Sequence, residues 1–156
     1  MKTYFVSVVL VLGYFAALPS EAVGCVCVST PGKLSALQFQ NRVTRNYNQV
    51  TAVFLGEKLR SDRYTADFKI IDVWKGDQKT TVTLSTGTRR LPGTDIESAS
   101  SCDIRFRGKA TKYLVFASKT KYGDLQAWQC SLTRPANMAN QIIDVLNKLR
   151  KIEDVS

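Results

Sequence analysis

In Tyr64-Thr65-Ala66-Asp67-Phe68-Lys69-Ile70-Ile71-Asp72-Val73-Trp74, apolar side chains fall at Tyr64, Ala66, Phe68 and Ile70. That is every second residue, the period of a half-buried β-strand. The apolar set then slips by one residue, to Ile71 and Val73. Side chains on a strand alternate between two faces, so a change of phase marks an extra residue, a bulge or a sharp coil. A strand that coils in mid-course suits a sheet that closes on itself.

Working outward, Val50–Glu57 carries Val53, Phe54 and Leu55 in a row and reads as a buried strand ending near Gly56. Lys75-Gly76-Asp77 makes a turn, Thr81–Ser85 alternates around Val82 and Leu84, and Thr86–Ser101 is a loop of small polar residues with Pro92. Asp103–Phe106 and Lys112–Ala117 read as further strands, and Leu125–Cys130 as the last, after a turn at Tyr122-Gly123-Asp124. A helix is expected at each end. Thr30 caps the first, Pro31 fits its opening turn, and Leu34, Leu37 and Phe39 lead to about Val43. Pro135 opens the second, in which Met138, Ile142, Val145, Leu146, Leu149 and Ile152 recur at helical spacing and Lys148, Arg150 and Lys151 face its negative end. These elements predict a mainly β fold: an OB-like closed barrel of five or six strands with an N-terminal and a C-terminal helix.

The chain opens like a secretory leader. Lys2 is followed by the apolar run Tyr4–Leu18, which Pro19 ends. Ala22-Val23-Gly24 offers small residues for a cut before Cys25, and Ser20-Glu21-Ala22 offers a competing cut before Val23. The run is shorter than the roughly 20 residues of a membrane span. The expectation is a signal peptide over 1–24 and one domain over 25–156, secreted, extracellular, monomeric and without membrane insertion. No Asn-x-Ser/Thr site for N-glycosylation occurs.

The four cysteines, Cys25, Cys27, Cys102 and Cys130, form two disulfides in an oxidising compartment. A Cys25–Cys27 bridge would close a very small strained ring, so two pairings stay open, each tying the amino terminus to two points deep in the chain. A four-thiolate zinc site lacks the paired ligand spacing that such sites use. Enzyme chemistry finds little footing, because the chain has no histidine and oxidised cysteines offer no thiolate. Asp62, Asp67, Asp72 and Asp77 recur every five residues, which shares no helical or strand face, and read as turn and surface groups. The chain is read as a non-enzyme without a cofactor of its own.

A leader running into Cys25-Val26-Cys27, Phe54-Leu55-Gly56, Val73-Trp74-Lys75-Gly76, a small-residue loop into Cys102, Tyr113-Leu114-Val115-Phe116 and then Cys130 resembles the netrin-like (NTR) module. Within it the chain is most similar to the amino-terminal domain of the tissue inhibitors of metalloproteinases. The resemblance spans Cys25 to about Arg150 and implies an OB-like barrel with the pairings Cys25–Cys102 and Cys27–Cys130. It also implies a function: the free amine and carbonyl oxygen of Cys25 would chelate the catalytic zinc of an extracellular metalloproteinase, the zinc belonging to the target. Val26 would enter the adjoining specificity pocket, and Ser98, Ala99, Ser100 and Ser101 would cover the other side of the cleft. The chain departs from the inhibitors in three ways: it has Val26 where they carry Thr or Ser, and it lacks their third disulfide and their second, cysteine-rich domain.

A net charge of +9 predicts attraction to polyanions, which for a secreted chain means sulfated glycans or matrix rather than nucleic acid. Arg105, Arg107 and Lys109 alternate with Ile104 and Phe106, so they are expected on the outer side of a strand. An extracellular module binding heparan-type glycans, matrix or a protein partner through that face is the rival reading. Tyr113, Phe116 and Trp128 are expected in the core.

Overall fold

The computed structural model describes Cys25, Cys27, Gly32 and residues 34–77 and 80–153. Helix α1 (Ala36–Gln49) precedes three strands, β1 (Ala52–Ser61), β2 (Thr65–Lys75) and β3 (Thr81–Ser85). A short hairpin, β4 (Arg89–Arg90) and β5 (Glu97–Ser98), stands apart from the main sheet. Then come β6 (Lys112–Lys119), β7 (Leu125–Ala127), β8 (Arg134–Pro135), a 3-10 turn at Ala136–Met138 and helix α2 (Asn140–Glu153).

The main sheet runs β1-β2-β3-β7-β6 and returns to β1, with β8 added on β6. Five strands thus close into a barrel, and the two disulfides join Cys25 to Cys102 and Cys27 to Cys130. The β3–β7 pair is parallel, while the other ladders are antiparallel. This is the expected OB-like architecture.

The phase change in β2 is structural. Leu55 pairs with Asp72 but Gly56 with Ile70, so Ile71 is an extra residue; a second shift leaves Trp74 extra opposite Val53 and Phe54. Ala66 and Phe68 point into the barrel with Ile70 and Val73 against them, whereas Ile71, expected on the apolar face, is 47% exposed. The two bulges let β2 coil around the barrel and turn Trp74 outward toward the helices.

The barrel interior is filled by Phe54, Phe68, Leu84, Phe106, Tyr113 and Val115, with Phe68 edge-on to Phe54, Phe106 and Tyr113. Gly56 does not end β1; it sits mid-strand, where a Cβ would lie 3.1 Å from the Phe54 and Phe68 side chains. The outer faces of β1 and β6 (Val53, Leu114, Phe116) pack on Val43 and Tyr47 of α1 and on Ile142, Val145 and Leu146 of α2. Burial on both faces explains why β1 and β6 read as continuous apolar runs.

Helix α1 starts later than expected. Thr30 and Pro31 lie outside the described residues; Ser35 caps the helix in a reciprocal box with Gln38, and the buried side chains are Val43 and Tyr47. Leu37 is exposed, as are Met138 and Ile152 of the second expected stripe. The segment 103–106 is not a strand: only Asp103 makes a bridge, to Trp128. β7 ends at Ala127, three residues short of Cys130.

Candidate functional site

The disulfides are Cys25–Cys102 and Cys27–Cys130, the pairing that the resemblance implied, each with Cα atoms 5.1 Å apart. They are neighbours, with Cys25 Sγ 3.9 Å from Cys130 Sγ. By the chain-entropy argument, bridges across separations of 77 and 103 residues each stabilise by about 4–5 kcal/mol.

Around this pair the chain forms a braced edge. The Cys25 nitrogen donates to Ser101 Oγ at 2.6 Å. Gln129 N donates to Cys102 O at 2.8 Å, so the backbone segments that carry Cys102 and Cys130 are held side by side. Cys25 is half-buried, while Cys27, Ser98, Ala99, Ser100 and Ser101 are exposed. The structure therefore brings Cys25, Ser101 and Cys102 together; Val26 lies outside the described residues.

The loop carrying Ser98–Ser101 is held at both ends. Before it, Glu97 accepts hydrogen bonds from Tyr64 Oη and Arg63, which keep its carboxyl below the usual carboxylate range. After it, the buried carboxylate of Asp103 accepts from Ser100 N and from Thr88 Oγ1, both at 2.9 Å. Gly87 makes room for that carboxylate: its φ is +99° and a Cβ there would sit 2.2 Å from Asp103 Oδ1. Asp103, Thr88 and Gly87 escaped the reading of the sequence, since they meet only through the fold. The nearest signal was an acidic residue directly after a cysteine.

Trp128, expected in the core, is 43% exposed, whereas Tyr113 and Phe116 are buried as expected. It leaves the interior because β7 stops at Ala127, after which residues 128–131 turn back on themselves through a Ser131 N to Trp128 O bond.

Arg105 and Arg107 keep the expected alternation without a strand: Ile104 and Phe106 are buried and the two arginines exposed. They line a cleft with Lys58 and Arg63, and Lys109 is exposed beyond Gly108.

Chemically, the braced edge offers fixed backbone atoms and hydroxyls. All four cysteines are in disulfides, and among the described residues no group of three or more His, Cys, Asp or Glu is placed to hold a metal ion. No described helix is long and apolar enough to cross a membrane. The chain matches no family model, and no curated protein matches it.

Proposed function

We propose that the protein is a secreted inhibitor of zinc metalloproteinases that acts through Cys25 once residues 1–24 are removed. The observation that carries this reading is the bracing of Cys25: a disulfide to Cys102 and a 2.6 Å hydrogen bond from its nitrogen to Ser101 Oγ fix the residue whose N and O would face the target. A catalytic zinc keeps one coordination position for water or substrate. A preorganised amine and carbonyl pair takes that position with little ordering cost, and with no side-chain chemistry from the inhibitor. Val26, next in the chain, then places an apolar side chain in the pocket beside the zinc, while Ser98–Ser101 flank it. The netrin-like resemblance supports the same reading.

Amino-terminal sequencing of the secreted protein should begin at Cys25. Adding a single alanine before Cys25 blocks the amine and should abolish inhibition across a panel of secreted zinc metalloproteinases, with the fold unchanged by circular dichroism. A mature start at Val23, or undiminished inhibition by the extended form, would overturn the mechanism.

A further inference from the structure

Arg105 and Arg107 flank Phe106, whose ring is buried in the barrel while its carbonyl faces the β1 end. Lys58 of β1 reaches that carbonyl at 3.0 Å and Gly108 O at 3.4 Å, and Ser61 Oγ donates to the same Phe106 oxygen at 3.2 Å. One wall is thus hydrogen-bonded to the other, and the cleft between them holds about 410 Å³. Small-ligand sites in proteins have volumes of about 300–1,000 Å³.

The charge in this cleft is unbalanced. Arg63 is paired with Glu97, and Asp62 has its Oδ1 taken up by the amides of Tyr64 and Thr65. Lys58, Arg105 and Arg107 have no carboxylate partner among the described residues. Two guanidinium groups two residues apart, beside a fixed ammonium, suit tetrahedral oxyanions, which a guanidinium binds through paired N–H donors.

We infer that this cleft is a binding site for sulfated oligosaccharide, separate from the Cys25 edge. Single-stranded nucleic acid is the poorer fit. Such strands bind by stacking bases on exposed aromatic rings, and the one aromatic residue of the cleft, Phe106, is 3% exposed. Sulfate rather than carboxylate is the favoured group because its three terminal anionic oxygens can be shared among the two arginines and Lys58, where a carboxylate offers two.

The test compares the full secreted protein with Arg105→Ala/Arg107→Ala, and with Arg42→Ala/Arg45→Ala, which removes equal charge from α1. Binding is measured by titration calorimetry at physiological salt to three probes: heparin oligosaccharide, the same oligosaccharide desulfated, and a single-stranded oligonucleotide. The site predicts tenfold or greater loss of heparin affinity in the Arg105/Arg107 variant, with little change in the α1 variant, whose two arginines line a different cleft with Gln38 and Cys130. It also predicts weak binding of the desulfated and nucleic-acid probes. Equal losses in both variants would mean diffuse charge and no site. Equal affinity for the oligonucleotide would overturn the ligand class, and equal affinity for the desulfated probe would overturn the role of sulfate.

Discussion

One carboxylate oxygen of Asp103 accepts from both Thr88 Oγ1 and the Ser100 amide, so a single buried side chain ties the small-residue loop to the barrel mouth. Removing it strands the buried Thr88 hydroxyl and the part-buried Ser100 amide. Asp103→Ala should therefore cost about 2–4 kcal/mol, read as a lower urea midpoint at unchanged slope. Gly87→Ala should be similarly damaging, because a Cβ would meet Asp103 Oδ1 at 2.2 Å and the backbone is left-handed at φ +99°. The two effects share an atom and should not add. In an Asp103→Ala background the clash with the carboxylate is gone, leaving about 1–2 kcal/mol of left-handed backbone strain and a 2.8 Å approach to Gln126 Nε2, the far end of a side chain that can move aside. If Gly87→Ala costs the same in both backgrounds, the carboxylate is not what the glycine accommodates. None of this was legible in the sequence, where Gly87, Thr88 and Asp103 sit in and beside a stretch of small polar residues. Only the close approach of two distant backbone segments makes them a unit.

At the scale of elements, the bulged strand β2 joins the barrel to the helices. Its second bulge turns Trp74 outward, where the indole N–H donates to Asn147 Oδ1 of α2 at 2.9 Å and the Trp74 carbonyl accepts from Tyr47 Oη of α1 at 2.8 Å. Arg150 of α2 lies over the indole and pairs with Asp72. A contrast follows between two large apolar residues three apart. Trp74→Ala should cost about 3–5 kcal/mol and loosen both helices, whereas Ile71→Ser, on the exposed bulge, should change stability by less than about 0.5 kcal/mol. Thermal unfolding of the two variants decides it, and a large loss from Ile71→Ser would place the bulge elsewhere. The slip in apolar period announced this bulge, because a barrel must bury one face of the strand on either side of an inserted residue. Where the period misled, it did so for a physical reason. Alternation in Asp103-Ile104-Arg105-Phe106 records which side chains face the interior, and Ile104 and Phe106 do. It carries no information on whether a neighbouring strand supplies ladder hydrogen bonds, and among the described residues none does beyond the Asp103–Trp128 bridge. Two-residue strands such as β4, β5 and β8 are too short to show any period. For α1, the apolar residues nearest the expected start were less informative than the Ser35 and Gln38 pair, whose reciprocal hydrogen bonds fix where the helix begins.

For the whole molecule, titration separates stability from the proposed activity. The carboxyls of Asp62, Asp67 and Glu97 are all held below the usual carboxylate range. For Asp62 the cause is the amides of Thr65 and Tyr64; for Asp67 it is the Thr83 hydroxyl and then Arg60; for Glu97 it is the Tyr64 hydroxyl and then Arg63. A folded-state value below the unfolded one means that the contribution to stability is complete above the unfolded carboxylate pKa of about 4 and fades as pH falls below it. The chain has no histidine, and all its cysteines are in disulfides. Its stability should therefore be flat from pH 5 to 8 and decline below that range. The amine of a mature Cys25 behaves differently. Its ordinary pKa is about 7.7–8.0, and only the neutral form binds zinc, so each unit of pH below that value should weaken inhibition close to tenfold. Denaturant midpoints and inhibition constants measured on the same samples from pH 5 to 8, with the target enzyme's own pH profile recorded alongside, should therefore diverge. Inhibition that stays level across this range would rule out a free amine as the ligand. Inhibition that falls only where the midpoint falls would mean that unfolding, and not protonation of Cys25, is being observed.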